Sequence, residues 1–409
     1  MNFFADNPAV SLEYIRRIET DTLENVLPFW IARAIEPHGT GFVGAVSNDL
    51  TATDSVERGA LLTSRILWAF SAAYRQYGRP EFLRMAERAY ADLTGRFRDD
   101  VHGGFYWSLR PDGAVLKDRK QVYGQAFAIY SLAEYHLATG RPEPLAQAIA
   151  VYRLIEKHAR ENTHGGYIEA LSREWSPIED QRLSAVDLNE PKSQNTHLHV
   201  MEAYSLLLSC WPNAALKESL RDLVEIMLAR IVDRRTAHLG LFFALDWTLK
   251  SDRISYGHDI EAAWLFTDAA ARLNLPDLTE RIHALAVRIA EVTLAEGVDA
   301  DGGLFNEGDP QGLTNTNKEW WPQSEAVIGF LNAYQLKRDE RFARAALLTW
   351  DFIDRRLIDR QHGEWFRGVT RDGQVLDQEL KVSFWKCPYH NVRGGLETVR
   401  RLRALAAQP

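Results

Sequence analysis

Apolar and polar positions along this chain follow one repeating order. A helix with a single apolar stripe runs into a short motif of His or Asp, Gly and an aromatic residue. A strand-like segment and a turn come next, followed by a second helix that is apolar on most faces. The motif occurs as HGTGF (38–42), HGGFYW (102–107), HGGYIE (164–169), HLGLFF (238–243), DGGLFN (301–306) and HGEWF (362–366). Successive copies lie roughly 60–75 residues apart, longer than the usual solenoid period but regular. The 3.6-residue periodicity predicts apolar helices near 59–77, 121–138, 194–209, 258–272, 322–336 and 389–406. More amphipathic partners are predicted near 11–34, 80–97, 142–160, 214–232, 276–295 and 338–357. In two units YG-RPE or TG-RPE joins the helices, with Gly suited to a left-handed helix end and Pro to a first turn. Asp-Gly turns in RPDGAVL (110–116) and TRDGQVL (370–376) predict short β-hairpins after the motif.

Twelve helices in six pairs begin with an amphipathic member and end with an apolar one. Pairing the first with the last closes a ring, an all-α (α/α)6 barrel with six inner helices, six outer helices and β-hairpins in the loops. An open solenoid is the alternative, and it would leave two uncapped ends. The connection over 170–193 is the longest, polar and Pro-containing, as expected of a lid or binding loop. No linker or low-complexity stretch interrupts the pattern, so 1–409 is expected to be one catalytic domain.

Composition narrows the partners. Hydrophobic residues make up 46% and charged residues 25%, the balance of a soluble globular chain. A formal charge of −8 without a long basic run argues against nucleic acid and anionic membranes. No apolar run reaches membrane-spanning length, and MNFFADNPAV lacks the basic and apolar blocks of a leader. Cys210 and Cys387 fit no metal spacing, and a reducing cytoplasm is the expected location. Twelve Trp residues suit cores and also flat carbohydrate faces.

In a closed ring the N-terminal ends of the inner helices share one mouth, and polar insertions would converge there. These are Arg65, Tyr123, Asn195 with His199, His258 with Glu261, Trp321 with Glu325, and His390. Within NTHLHVMEAY, Asn195, His199 and Glu202 share a helical face while His197 points away, as a structural residue would. The same divergence disfavours His197 and His199 as a metal pair. Glu261, three residues after His258, is expected to orient neighbouring groups. Arg65 enters an apolar helix and needs an anionic or polar partner. The motif histidines His38, His102, His164 and His362 are expected to anchor turns, and Trp68, Phe70, Tyr90 and Trp350 to fill the core. Histidines suit proton transfer in both directions near neutral pH, and an arginine suits the enediolate left by proton loss beside a carbonyl. With no phosphate loop, dinucleotide fingerprint or strong metal motif, the chemistry is expected to need neither cofactor nor metal. Glu169, Glu179 and Asp187, on or near the long loop, keep a two-carboxylate glycosidase open.

The runs NTHLHVMEAY, GHDIEAAW, EWWPQSEAVIGFLNAYQ and KVSFWKCPYHN, in this order and spacing, closely resemble cellobiose 2-epimerases of the N-acylglucosamine 2-epimerase superfamily. The similarity extends from about Leu12 to Leu405, with Trp385 five residues before His390. The resemblance implies an (α/α)6 barrel that inverts C2 of the reducing-end glucose of β-1,4-linked disaccharides without a cofactor. Cellobiose would give glucosyl-mannose and lactose epilactose, through ring opening and a cis-enediolate. It further implies that His390 removes the C2 proton, His258 is the second acid/base and His199 assists ring opening. Arg65, Tyr123, Asn195, Glu261, Trp321 and Glu325 match positions around the reducing-end sugar, and Trp385 and Asp187 match contacts to the second sugar. Cys387 and Gly124 depart from the expected glycine and alanine. The expected partner is a small disaccharide, with the chain a monomer or weak homodimer. Relatives acting on N-acetylglucosamine, mannose or sulfoquinovose are the nearest alternatives, and a barrel glycosidase or a binding protein the more distant ones.

Overall fold

The structure is a computed structural model and describes residues 2–37, 39–53 and 56–407; His38, one of the motif histidines, lies outside them. Its helices are α1 (Phe3–Asp6), α2 (Pro8–Thr20), α3 (Leu27–Arg33), α4 (Ala60–Tyr77), α5 (Pro80–Asp92), α6 (Val122–Thr139) and α7 (Pro142–His158). They continue as α8 (Gln194–Cys210), α9 (Ala214–Ile226), α10 (Tyr256–Leu273), α11 (Pro276–Val292), α12 (Trp320–Lys337), α13 (Glu340–Phe352) and α14 (Tyr389–Ala406). Helices α4, α6, α8, α10, α12 and α14 pack each on the next, and α14 packs back on α4. Helix α2 covers α14, so the first outer helix does meet the last inner one and the ring is closed. The protein is an (α/α)6 barrel.

Burial follows the periodicity. Ala60–Ala73 and Val122–Tyr135 are buried without a break, as inner helices enclosed on both sides must be. Outer α5 buries one stripe, Phe82, Met85, Ala86, Ala89 and Asp92. Gly78 and Gly140 end α4 and α6 at φ 67° and 71°, and Pro80 and Pro142 open the helices that follow. The predicted outer spans 80–97, 214–232, 276–295 and 338–357 each prove to be an α-helix that widens into a π-helical turn. Those turns are Leu93–Phe97, Met227–Ile231, Thr293–Gly297 and Ile353–Leu357.

Two-residue strands link neighbouring units. Arg58–Gly59, Lys120–Gln121, Lys192–Ser193 and Lys318–Glu319, each directly before an inner helix, pair antiparallel with Ser108–Leu109, Ala170–Leu171, Phe242–Phe243 and Gly368–Val369. A second device was hidden in the sequence. The cation of each strand reaches back to an acid at the end of the preceding outer helix: Arg58 to Glu36 (2.9 Å), Lys120 to Asp99 (2.8 Å), Lys192 to Glu161 (3.1 Å) and Lys318 to Asp299 (2.8 Å). Lys381 and Asp359 (2.8 Å) do the same in the sixth unit. These carboxylates also accept main-chain N–H groups of the glycine turns, at Val101 and His102 for Asp99 and at Thr163 and His164 for Glu161. The turns are therefore anchored by acids, to which His102, His164 and His362 contribute backbone N–H groups.

Removing one partner of such a pair strands a buried charge. Lys192→Met should cost about 3–5 kcal/mol of unfolding free energy in urea. Burial pushes the Glu161 carboxyl up, but the Thr163 and His164 N–H groups and Lys192 outweigh it and hold it at about 2. Because the folded value lies below the ordinary 4.5, its stabilisation is present above pH 4.5 and is lost as pH falls from there towards 2. Lys192→Met should flatten that acid limb, and an unchanged limb would contradict the pairing.

Candidate active site

The second, sixth and ninth residues of an inner helix fall on one face, and here that face is the barrel axis. It presents Tyr123, Phe127 and Tyr130 on α6, Asn195, His199 and Glu202 on α8, and Trp321 and Glu325 on α12. Helix α4 adds Arg65, α10 adds His258 and Glu261, and α14 adds His390 and Arg393. A cavity of about 580 Å³, open to solvent, is walled by Arg65, Tyr123, Asn195, His199, His258, Glu261, Trp321, Trp385 and His390, with Glu319, Trp320 and Arg367 at its side. Of the residues expected around the reducing-end sugar, only Glu325 is not on the wall. It is fully buried behind His390.

The floor is a charge network around Arg393. Its guanidinium bonds Glu202 and Tyr389 through Nη1, and Glu261 and Glu325 (2.7 Å) through Nη2. Carboxylates from α8, α10 and α12 thus meet one cation from α14. Two of them also hold imidazoles, Glu325 at 2.7 Å from His390 Nδ1 and Glu202 at 2.9 Å from His199 Nδ1. A carboxylate on Nδ1 fixes the proton there and leaves Nε2 as the lone-pair nitrogen. His258 is held through Nδ1 by Ser255 Oγ at 2.8 Å.

Burial sets the protonation states. It lowers His258 to about 3, with His199 and Arg65 adding repulsion, and it lowers His199 although Glu202 opposes. Burial, Arg65 and Arg393 put His390 well below the ordinary imidazole range, so all three rings are neutral at neutral pH. Burial raises Glu202, but Arg393 and His199 outweigh it and hold it at about 2. Glu261 and Glu325 are both raised, by burial and, for Glu261, by repulsion from Glu325, against Arg393. Glu261 Oε2 is buried with no hydrogen-bond partner among the described residues. Arg65 donates to Tyr123 OH (2.6 Å) and lies over the rings of Phe127 (4.3 Å) and Tyr389 (5.1 Å), with no carboxylate in contact among the described residues. One oxygen or nitrogen each of Glu261, Glu325 and His390 lies within 4.8 Å of the others, a donor set suited to a cation, and Arg393 already supplies that charge.

Glu261 turns to Arg393 and leaves the orientation of His258 to Ser255. His258 on α10 and His390 on α14 lie two places apart around the ring, and the Trp321 ring on α12 is near both, 4.7 Å from His258 and 5.6 Å from His390. Asp187 is outside the histidine cavity. It lines a neighbouring cavity of about 580 Å³ that shares Asn195 and His258, and accepts hydrogen bonds from Ser184 N (2.9 Å) and Oγ (2.8 Å). Trp385, beside Phe384 and Trp107, borders both the histidine cavity and one of about 740 Å³ under Leu183 of the long loop. Glu169 accepts from Ser193 N and Oγ and from Thr196 Oγ1, and lines the same cavity as Asp187. His197 accepts from Tyr167 N (2.9 Å) and donates to Ser193 O (2.6 Å), a structural role. Cys387 Sγ lies 4.0 Å from Arg65 Nη1, and a Cβ at Gly124 would come within 3.0 Å of the Trp107 ring. Sequence reasoning gave Arg393, Glu202 and Tyr389 no role. The signal for Arg393 was the one used for Arg65, a guanidinium inside an apolar helix.

Residues 41–393 match the family model of N-acylglucosamine 2-epimerase (GlcNAc 2-epimerase). The chain is 40% identical over 383 residues to a cellobiose 2-epimerase of Bacteroides fragilis, covering 93% of this chain and 97% of that one. The solved cellobiose 2-epimerase of Spirochaeta thermophila superposes with a TM-score of 0.90 at 36% identity, over 97% of this chain and 98% of that one. That of Bacillus thermoamylovorans gives 0.91 at 35%, over 95% and 99%. With its barrel, its histidine cavity and relatives of this identity along nearly its whole length, the chain belongs to the N-acylglucosamine 2-epimerase family and is an isomerase of the epimerase class.

Proposed function

We propose that the protein epimerises C2 of the reducing-end glucose of β-1,4-linked disaccharides, cellobiose to glucosyl-mannose and lactose to epilactose, as a single catalytic domain. One observation carries this reading: three neutral imidazoles and a buried arginine with no carboxylate in contact among the described residues line one cavity with aromatic walls. The C2 hydrogen is acidic only beside a carbonyl, so the sugar reacts as the open-chain aldehyde, with His199 assisting ring opening. His390 Nε2 removes the C2 proton, while its Nδ1–H stays on Glu325 and stabilises the imidazolium that forms. Negative charge grows on O1 and meets Arg65, which has no carboxylate in contact among the described residues. His258, protonated from solvent while the enediolate stands, delivers that proton to the other face, and His390 gives the C2 proton up to solvent, so both rings end neutral. Tyr123, Asn195, Trp321 and the unpartnered Glu261 Oε2 position the reducing-end hydroxyls. Trp385 takes the second sugar, with Asp187 in the adjoining cavity available to an extended ligand.

Incubation with cellobiose in D₂O tests the reading. Glucosyl-mannose carrying deuterium at C2 is expected; release of glucose, or recovery of unchanged cellobiose, would overturn it. His390→Asn and His258→Asn should each lower kcat by about 10²–10⁴-fold with the far-ultraviolet circular dichroism unchanged.

Stacking on Trp385 should contribute about 0.5–1.5 kcal/mol beyond area burial. Trp385→Ala should therefore lower kcat/KM for cellobiose far more than for any monosaccharide accepted. Equal losses for both would assign Trp385 to the reaction centre or the fold.

A further inference from the structure

The six units can be set in register on their bridges, Ile35 with Phe42, Arg98 with Phe105, Arg160 with Tyr167, Val232 with Leu239, Val298 with Leu304 and Ile358 with Trp365. The residue before the second member of each bridge is then glycine in four units, Gly41, Gly104, Gly166 and Gly303. It is His238 in the fourth unit and Glu364 in the sixth. The glycines have a steric reason: a Cβ would come within 2.7 Å of Gln125 Oε1 at Gly104, and within 2.8 Å of Lys318 Cδ at Gly303. This slot therefore opens onto the first turn of the next inner helix and its staple lysine. The two units that fill it with a side chain are those whose inner helices, α10 and α14, carry His258 and His390.

In the fourth unit Ile254 stands two residues before the inner helix, where four of the other units have Arg58, Lys120, Lys192 and Lys318. The cation comes from the slot instead. His238 Nδ1 lies 2.7 Å from Asp259 Oδ2 and Nε2 lies 3.1 Å from Glu296 Oε2, while Asp259 Oδ1 accepts from Leu239 N at 2.9 Å. Carboxylate oxygens on both ring nitrogens require two donors, which only the imidazolium offers. Tyr256, its ring 6.2 Å away, and Asp233, Arg235, Asp252, Arg253, Arg288 and Asp309 are the other titratable or charged groups of the cavity that His238 lines.

In the sixth unit Glu364 sits at φ 65°, a region that strains any residue with a Cβ. Its carboxylate accepts from Asn391 Nδ2 (2.9 and 2.8 Å), Trp365 N (2.9 Å) and Lys386 Nζ. Asp259 directly follows His258, and Asn391 directly follows His390. Each slot side chain thus grips the neighbour of one site histidine, and neither lines the sugar cavity.

We propose that His238 and Glu364 are positioning residues that fix the first turns of α10 and α14, and with them His258 and His390; this rests on the epimerase reading above. The first turns of α6, α8 and α12 are held by their own side chains alone, Gln125, His197 and Gln323 bonding the backbone of Phe105, Tyr167 and Leu304, whereas α10 has this bond from Asp259 and the grip of His238 besides. A grip supplied from the opposite strand restrains rotation of the first turn as well as its approach. Burial opposes protonation of His238, but Asp259 and then Glu296 raise it above the ordinary range. Its grip is therefore complete below the ordinary imidazole value and is lost as pH rises through the raised one.

His238→Gln and Glu364→Gln test the assignment. Each should lower kcat on cellobiose by on the order of 10²-fold with KM little changed, the loss expected from a misplacement of about 1 Å. Wild-type kcat should decline on the alkaline side with the midpoint at which His238, ring-labelled and followed by NMR, loses its proton. That decline should vanish in His238→Gln. Without substrate, amide exchange should speed up in the first turn of α10 for His238→Gln and of α14 for Glu364→Gln, with α6 unchanged. Variants that melt earlier yet keep wild-type kcat when folded would reduce both residues to structural ones, as would unchanged exchange at α10 and α14. A wild type that converts no cellobiose would defeat the epimerase reading, and the exchange measurement would then decide the positioning claim alone.

Discussion

One guanidinium on the barrel axis determines how the rest of the inner ring meets. Arg393 rises from α14 and is bonded to carboxylates of α8, α10 and α12, the first of these three places away around the ring. Four ionisable groups taken out of water are tolerable only when every partner is present, because an incomplete buried network costs more than an apolar core. The three carboxylates must therefore converge on one point. Two of them carry His199 and His390 with them, each held by Nδ1. Arg65 has no carboxylate in contact among the described residues, a placement suited to the anion that the proposed reaction would form.

A single helical turn divides structural from chemical work. The second and sixth residues of an inner helix face the axis, while the fourth faces outward to the glycine turn. Gln125, His197, Asp259 and Gln323 occupy that fourth place and bond main-chain groups of Phe105, Tyr167, Leu239 and Leu304. His197 and His199 differ by this rule alone: one is a bolt between units and the other a wall of the cavity. Locking these four first turns to turns of the preceding unit restrains the mouth, and fixed placement is what proton transfer between positioned groups requires.

The barrel was legible because its marks are local. Periodicity separates the enclosed inner helices from the striped outer ones, and the glycine motifs count the units. The convergence of Arg65, His199, His258 and His390 followed from closure, since residues at corresponding helix starts must meet in a ring. The acid–lysine staples were not legible, because Lys120 or Lys192 reads as an exposed charge until its partner 21 or 31 residues earlier is brought to it. Arg393 escaped for a similar reason: its three acids lie 191, 132 and 68 residues away. Spacing on one helix put Glu261 beside His258 but could not name its partner, the cation of α14.

The central claim is that the cavity above Arg393 holds C1 and C2 of an open-chain sugar between His258 and His390. A crystal structure with the open-chain alcohol of cellobiose would test it most directly. The account predicts C2 within about 3–3.5 Å of a ring nitrogen of both histidines. It also predicts O1 on Arg65 and the glucosyl ring against Trp385. An alcohol bound only in the neighbouring cavity beside Asp187, or one whose C2 faces neither imidazole, would contradict it.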